Sequence, residues 1–520
     1  MPMRSTARRA TSSPAHDCAD ESSGRKRQES GAALAPGLAM NLAATLLERG
    51  RDGATALVAD GVPMTYAELR RAVAQAAGAW RAMGVNPGER VVVALADDAV
   101  WVAAFLGAIR AGAVAVALNP RLAPGDRDAL AAEGGYAAWL GEDGAPAPAG
   151  VTKALARGAW QIRVDVAAAG VAETCSAEMP AFWLYSSGTT GLPKAVVHAH
   201  RVVPAAARCG TEVLGIDAFD RLFAPSRLFF AYPLANSLFT GLACGATVIL
   251  QREWPTVDNV AATAARDRPT VFFSVPAFYR ALLREGRAQS LARGVRIAVS
   301  AGEAIAPALA EQWRTETGVA IWDGYGTSET LALMLVGRPE AGDATALRPA
   351  PGVTVTSAAA EAGLCRLTLR APTLALGYWR RADDERAAFG PDDYTPGDRF
   401  APAGDGWRYA GRADTLVKVH GRWVSLPDVE AAIAATAGPA LREVALIALR
   451  DEDGLTTLAA AYVSEGDAVA TREALDRALA PLPRYQRPVR CVAFDALPRT
   501  VTGKLLRRLL VAWLQEGPPP

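Results

Sequence analysis

Leu184-Tyr185-Ser186-Ser187-Gly188-Thr189-Thr190-Gly191-Leu192-Pro193-Lys194 is the stretch from which the rest of the chain can be read. Gly188 and Gly191 let a backbone approach an anion closely, the Ser and Thr hydroxyls donate to phosphate oxygens, and Lys194 supplies a point charge. The spacing GxxxxGK[ST] of the P-loop is absent, and no Ser or Thr follows Lys194. A plain Gly/Ser linker would need neither the hydroxyls at these positions nor the closing Pro-Lys. The segment is therefore read as a loop for triphosphate chemistry, within an α/β chain.

The surroundings carry the α/β reading. From Asn41 onward helical segments alternate with short apolar strands, such as a helix over 68–83 and a strand over 90–96. An apolar helix over 101–111 stops at Gly112, and a strand follows over 113–118. The same step recurs over 228–250. That segment lacks charge and is long enough to span a bilayer, but Pro233, Asn236, Ser237, Gly241 and Gly245 interrupt it, so a buried helix and strand are expected instead.

Near Arg412 the pattern changes to a compact run of strand, helix, hairpin, helix, strand and helix. Ser425 is expected to cap the helix there, with Asp428 and Glu430 in its first turn, and Asp453-Gly454 to turn the hairpin. The expected organisation is a disordered tail (1–38), a large layered N-terminal α/β domain (39–412) and a small mobile α+β C-terminal domain (413–520). A chain of 520 residues is too long for one ordinary core.

Fifty-five basic residues nearly cancel fifty-four acidic ones, which leaves no electrostatic footprint for nucleic acid or for an anionic membrane surface. Small-molecule partners are expected. The six cysteines form no CxxC pair, so neither a zinc site nor a disulfide framework is indicated, and a reducing cytoplasm fits.

Six ordered motifs carry a resemblance to the adenylate-forming superfamily: the loop already quoted, Ser300-Ala301-Gly302-Glu303, Asp323-Gly324-Tyr325-Gly326-Thr327-Ser328-Glu329, Gly397-Asp398-Arg399-Phe400, Gly411-Arg412-Ala413-Asp414, and Arg499-Thr500-Val501-Thr502-Gly503-Lys504. The chain resembles that superfamily from about Asn41 to Trp513. The implied reaction sets a carboxylate against the α-phosphate of ATP, so charges must neutralise both anions. The resemblance implies that Ser187, Gly188, Thr189, Thr190, Gly191 and Lys194 hold phosphates and that Glu329 holds Mg²⁺. It also implies that Asp398 and Arg412 bind ribose, and that Tyr325, Gly302, Glu303, Asp323 and Thr327 surround the nucleotide.

Taken singly, Glu329 would pass for a helix-start carboxylate, Tyr325 for a core residue and Gly-Asp-Arg for a surface turn. Lys504 is similar to the family lysine that bridges carboxylate and α-phosphate. Asp414 matches the hinge on which the small domain rotates between half-reactions. Lys418 and Gly421 resemble the loop of the tunnel that admits coenzyme A, although His420 stands where relatives often have Ser.

The segment Arg227 to Asn236, Phe182-Trp183-Leu184 and Asp323-Gly324 look like benzoate–coenzyme A ligases. Ala231 stands where amino-acid activators place an Asp for the substrate ammonium, which a methyl group cannot replace. Ala231, Tyr232 and Gly326 are expected to bound a flat apolar slot, with Ala332 where benzoate ligases commonly carry His and Ala195 in place of a glycine. Asn236 and Ser237 are either pocket groups or buried helix polar residues. His198 and His200 lack further ligands at metal spacing, so structural or pocket-edge roles are expected. The expected activity is an acyl-CoA synthetase using ATP, Mg²⁺ and coenzyme A on benzoate or a related aryl acid. The alternatives are an adenylation enzyme loading a carrier protein, or a non-catalytic binding homologue.

Overall fold

The computed structural model describes residues 39–186, 193–339, 346–450, 455–499 and 505–516. The tail 1–38 and the expected Asp453-Gly454 turn lie outside them. Two sheets dominate the body. A seven-stranded sheet pairs Lys153–Ala156, Ala138–Gly141, Arg90–Ala94, Val114–Ala117 and Pro180–Ser186 in parallel, then continues antiparallel through Lys194–Ala199 to Gly377–Tyr378.

A thirteen-stranded sheet has a parallel centre of Thr55–Ala59, Thr247–Leu250, Arg221–Phe223, Val271–Ser274, Ile297–Ala301 and Ile321–Tyr325. From Leu335–Gly337 outward that sheet turns antiparallel. The parallel strands are buried on both faces, as the continuous apolar runs in the sequence require.

The helices Tyr66–Ala82 and Ala99–Arg110 share the largest apolar core with side chains from both sheets. Thr65 and Glu68 form a reciprocal capping box at the start of the first, and Asp98 caps the second. Gly112 follows the second with φ near +82°, and the next strand is Val114–Ala117.

The 228–250 segment is helix then strand, as expected, but its helix is not uniform. Ala231–Pro233 runs into a π-helical stretch, Leu234–Phe239, and then Thr240–Cys244. Asn236 Nδ2 donates to the Tyr232 carbonyl at 2.9 Å and Thr240 Oγ1 to that of Ala235 at 2.9 Å, satisfying carbonyls that the wider turn displaces. Asn236 is thus a buried helix polar residue. No helix among the described residues is long and apolar enough to cross a membrane.

Beyond Arg412 come a hairpin of Leu416–Val419 with Arg422–Ser425, then Leu426–Ala437, the paired strands Leu441–Arg450 and Thr456–Ser464, Ala468–Leu479, Arg490–Ala493 and Arg507–Glu516. The apolar clusters of this segment draw only on residues from Val417 onward. One local expectation is corrected. The Ser425 side chain makes no capping bond, and Pro427 in the first turn leaves one N–H fewer to cap. Glu430 is committed elsewhere, to Arg507 at 2.6 Å.

Candidate active site

The parallel strands Ile297–Ala301 and Ile321–Tyr325 end side by side, with Ser300 level with Asp323 and Ala301 with Gly324. Loops leaving the carboxyl ends of parallel strands are where α/β sheets place their ligands. A cavity of about 290 Å³ opens there. Its walls include Gly302, Glu303, Asp323, Tyr325, Gly326 and Thr327, with Glu329 at the end of the same loop. Asp398 and Arg412 enter from an antiparallel pair in which they face each other in register.

The seven-stranded sheet supplies Ser186 and Lys194, which are register partners at the mouth of the 187–193 connection. Residues 187–192 lie outside the described residues, so no position is assigned to Ser187, Gly188, Thr189, Thr190 or Gly191. The same holds for Lys504.

The polar groups of the cavity are tightly connected. Tyr325 donates its hydroxyl hydrogen to Asp398 Oδ2 at 2.6 Å, and Tyr409 reaches Asp398 Oδ1 at 3.4 Å. Tyr378 donates to Glu329 Oε1 at 2.8 Å. The Lys194 ammonium lies 5.2 Å from the centre of the Tyr378 ring and pairs with Asp384 at 2.6 Å. Arg412 pairs with Asp414 at 3.1 Å. Burial pushes the Asp323 carboxyl up to about 7, and it raises the Tyr325 hydroxyl well beyond its ordinary value.

His198 is fully buried, stacked on Phe182, and its Nε2 hydrogen-bonds the Ser328 carbonyl at 3.0 Å. Burial holds it neutral, at about 3. It thereby fixes the residue before Glu329, a structural role at the pocket edge. His200 accepts the Leu42 backbone N–H through Nδ1 at 3.1 Å. No cluster of three metal-ligating side chains occurs among the described residues.

Other expected site residues stand apart from this cavity. Ala231 is buried, and Tyr232 spends its hydroxyl on the Val299 carbonyl at 2.9 Å. Ala332 lies behind Gly326, where a Cβ added to that glycine would meet the Ala332 carbonyl oxygen at 2.7 Å. Lys418 sits 5.9 Å from the Trp423 ring. His420 and Gly421 form the tip of that hairpin, both with positive φ, near +45° and +79°. Tyr378, Tyr394 and Tyr409 are wall residues that the motifs did not point to.

A second cavity, about 240 Å³, is lined by Arg121, Arg227, Arg252, Phe229 and Trp254 among others. Two of its guanidiniums flank Trp254, with Arg121 at 4.2 Å and Arg227 at 4.8 Å from the ring centre.

A family model described as AMP-binding enzyme matches residues 47–379, and the chain belongs to that family. It is 38% identical to a 3-hydroxybenzoate–CoA/4-hydroxybenzoate–CoA ligase of Thauera aromatica, over 93% of this chain and 99% of the relative. Among solved structures it is similar to a benzoate CoA ligase from Burkholderia xenovorans, with a TM-score of 0.80 at 31% identity, covering 91% of this chain and 99% of the other. It is also similar to the anthranilate CoA ligase AuaEII in complex with anthranoyl-AMP, with a TM-score of 0.82 at 28% identity over 91% and 97% of the two chains.

Proposed function

We propose that this protein joins an aryl carboxylic acid, benzoate or a hydroxybenzoate, to coenzyme A at the expense of ATP, through an acyl adenylate. The observation that carries the reading is the convergence of Lys194, Glu329, Asp398 and Arg412 on one cavity beside Tyr325. In the first step a carboxylate oxygen bonds to the α-phosphorus and the bond to pyrophosphate breaks. In the second the thiol sulfur bonds to the acyl carbon, AMP leaves, and the thiol proton passes to solvent.

Lys194 and Arg412 offset the charge of the phosphates, and Asp398 accepts hydrogen bonds from the ribose hydroxyls. Lys504, on the sequence resemblance, bridges the two reacting anions. Glu329 fits a magnesium ligand: its carboxylate is buried, a hard oxygen donor, and only Oε1 is engaged by Tyr378. Bound there, the ion would polarise phosphate oxygens.

On the sequence resemblance, the ring of the acid would lie against Ala231, Tyr232, Gly326 and Ala332, of which Gly326 lines the cavity described. No carboxylate at position 231 is present to pair an ammonium, which disfavours amino acids. Coenzyme A is assigned to the second half-reaction by the names of the relatives. Residues 413–520 are read as the small domain that turns on Asp414 between the half-reactions, bringing Lys418 and Gly421 to the thiol path. The five described cysteines are free thiols, in keeping with a reducing cytoplasm.

The test is to incubate the full chain with ATP and Mg²⁺ and a panel of benzoates, hydroxybenzoates and aliphatic acids, with and without coenzyme A. AMP and thioester should both form with aryl acids. Adenylate without thioester would point to a carrier protein as the acceptor, and no acid-dependent AMP would defeat the reading.

A further inference from the structure

The partner of Lys194 is not part of any phosphate motif. Asp384 lies in the short helix Ala382–Ala388, 190 positions further along the chain, yet its Oδ1 is 2.6 Å from the Lys194 ammonium. The helix is seated for this contact. Glu385 accepts the backbone N–H of Tyr378 at 3.2 Å, and Gly377, at φ near +140°, leaves room where a Cβ would meet Glu385 Oε2 at 2.5 Å. At its other end Ala388 reaches the wall of the 290 Å³ cavity. The Lys194 side chain is four-fifths buried, whereas that of the aspartate is 36% exposed and open to solvent once released.

We propose that Asp384 holds the place of the ATP phosphates on Lys194, and that ATP binds by displacing it. The pair keeps the lysine aimed into the cavity over Tyr378, whose hydroxyl holds Glu329. The cost falls on nucleotide affinity, because a carboxylate must give up its cation before a phosphate can take it. Asp384 is thus a positioning residue, acting through Lys194. This rests on the ATP-dependent reading above.

The experiment measures binding of Mg²⁺–ATP and of Mg²⁺–α,β-methylene-ATP by calorimetry, alongside steady-state KM and kcat. For Asp384→Asn the account expects tighter binding and a lower KM for ATP, by about two- to fivefold, with kcat little changed. Asp383→Asn is the control: Asp383 is in the same turn, 97% exposed and paired with Arg386, so ATP affinity should not move. In a Lys194→Ala background, Asp384→Asn should lose its effect on nucleotide binding. Asp384→Ser serves the same purpose if the amide variant does not fold.

Unchanged or weaker ATP binding in Asp384→Asn, with the unaltered chain binding ATP normally, overturns this inference alone. An effect that persists without Lys194 also overturns it. Absence of ATP binding by the unaltered chain would sink both this inference and the ATP-dependent reading.

Discussion

Asp323, half-buried in the cavity wall, shows how much a single group can tie the site to pH. Burial moves its carboxyl from an ordinary 3.8 to about 7. Between those values the native protein keeps a proton that the unfolded chain releases. Stability attributable to this group therefore declines as pH rises from about 4 to about 7 and is level above. Asp323→Asn removes the penalty, so the variant should gain on the parent by at least about 1 kcal/mol between pH 5 and pH 8 in denaturant melts. An equal difference at both pH values would show that Asp323 ionises normally.

At this scale the motifs pointed to Lys194, Glu329, Asp398 and Arg412, which line one cavity, because each is a charged residue in a glycine-containing motif. They did not reveal Tyr378, Tyr409 or Asp384. Tyr409 comes back to Asp398 only because the pairing of Asp398–Ala403 with Gly406–Arg412 shifts register between Arg399 and Phe400. A bulge of that kind leaves no periodic signal in the sequence.

Among the elements, the turn between Ile321–Tyr325 and Leu335–Gly337 matters most for the site, since it carries Gly326 through Glu329. Met334 N–H returns to the Tyr325 carbonyl at 2.8 Å, closing the loop tightly. Gly326→Ala would drive a methyl against the Ala332 backbone, which cannot yield as a side-chain end would. The account expects a loss of about 1–3 kcal/mol in stability together with at least about tenfold in kcat/KM for the acid. A variant with parental melting and kinetics would mean that the loop has slack.

The helices over 66–82 and 99–110 were legible, the second because its uninterrupted apolar run stops at Gly112. The π-helical stretch Leu234–Phe239 was not. Its wider turn depends on side-chain bonds from Asn236 and Thr240 to carbonyls four and five residues earlier, and either residue could equally have faced a ligand.

For the molecule as a whole, the layered α/β body and the α+β segment after Arg412 follow from the alternation of helix and strand and from the change in pattern near that residue. The order in which thirteen strands assemble does not, because it depends on which edges meet after the chain has crossed between sheets. That crossing is what brings Lys194, on one sheet, to the same cavity as Asp323 and Asp398 on the other. The proposed reaction centre is thus fed by both sheets, and its first product is an acyl adenylate.

The direct test is exchange of labelled pyrophosphate into ATP by the full chain, with Mg²⁺ and benzoate or 3-hydroxybenzoate and no coenzyme A. The account predicts acid-dependent exchange, because adenylate formation is reversible and needs no thiol. Thioester formation with no exchange under any of these acids would contradict it.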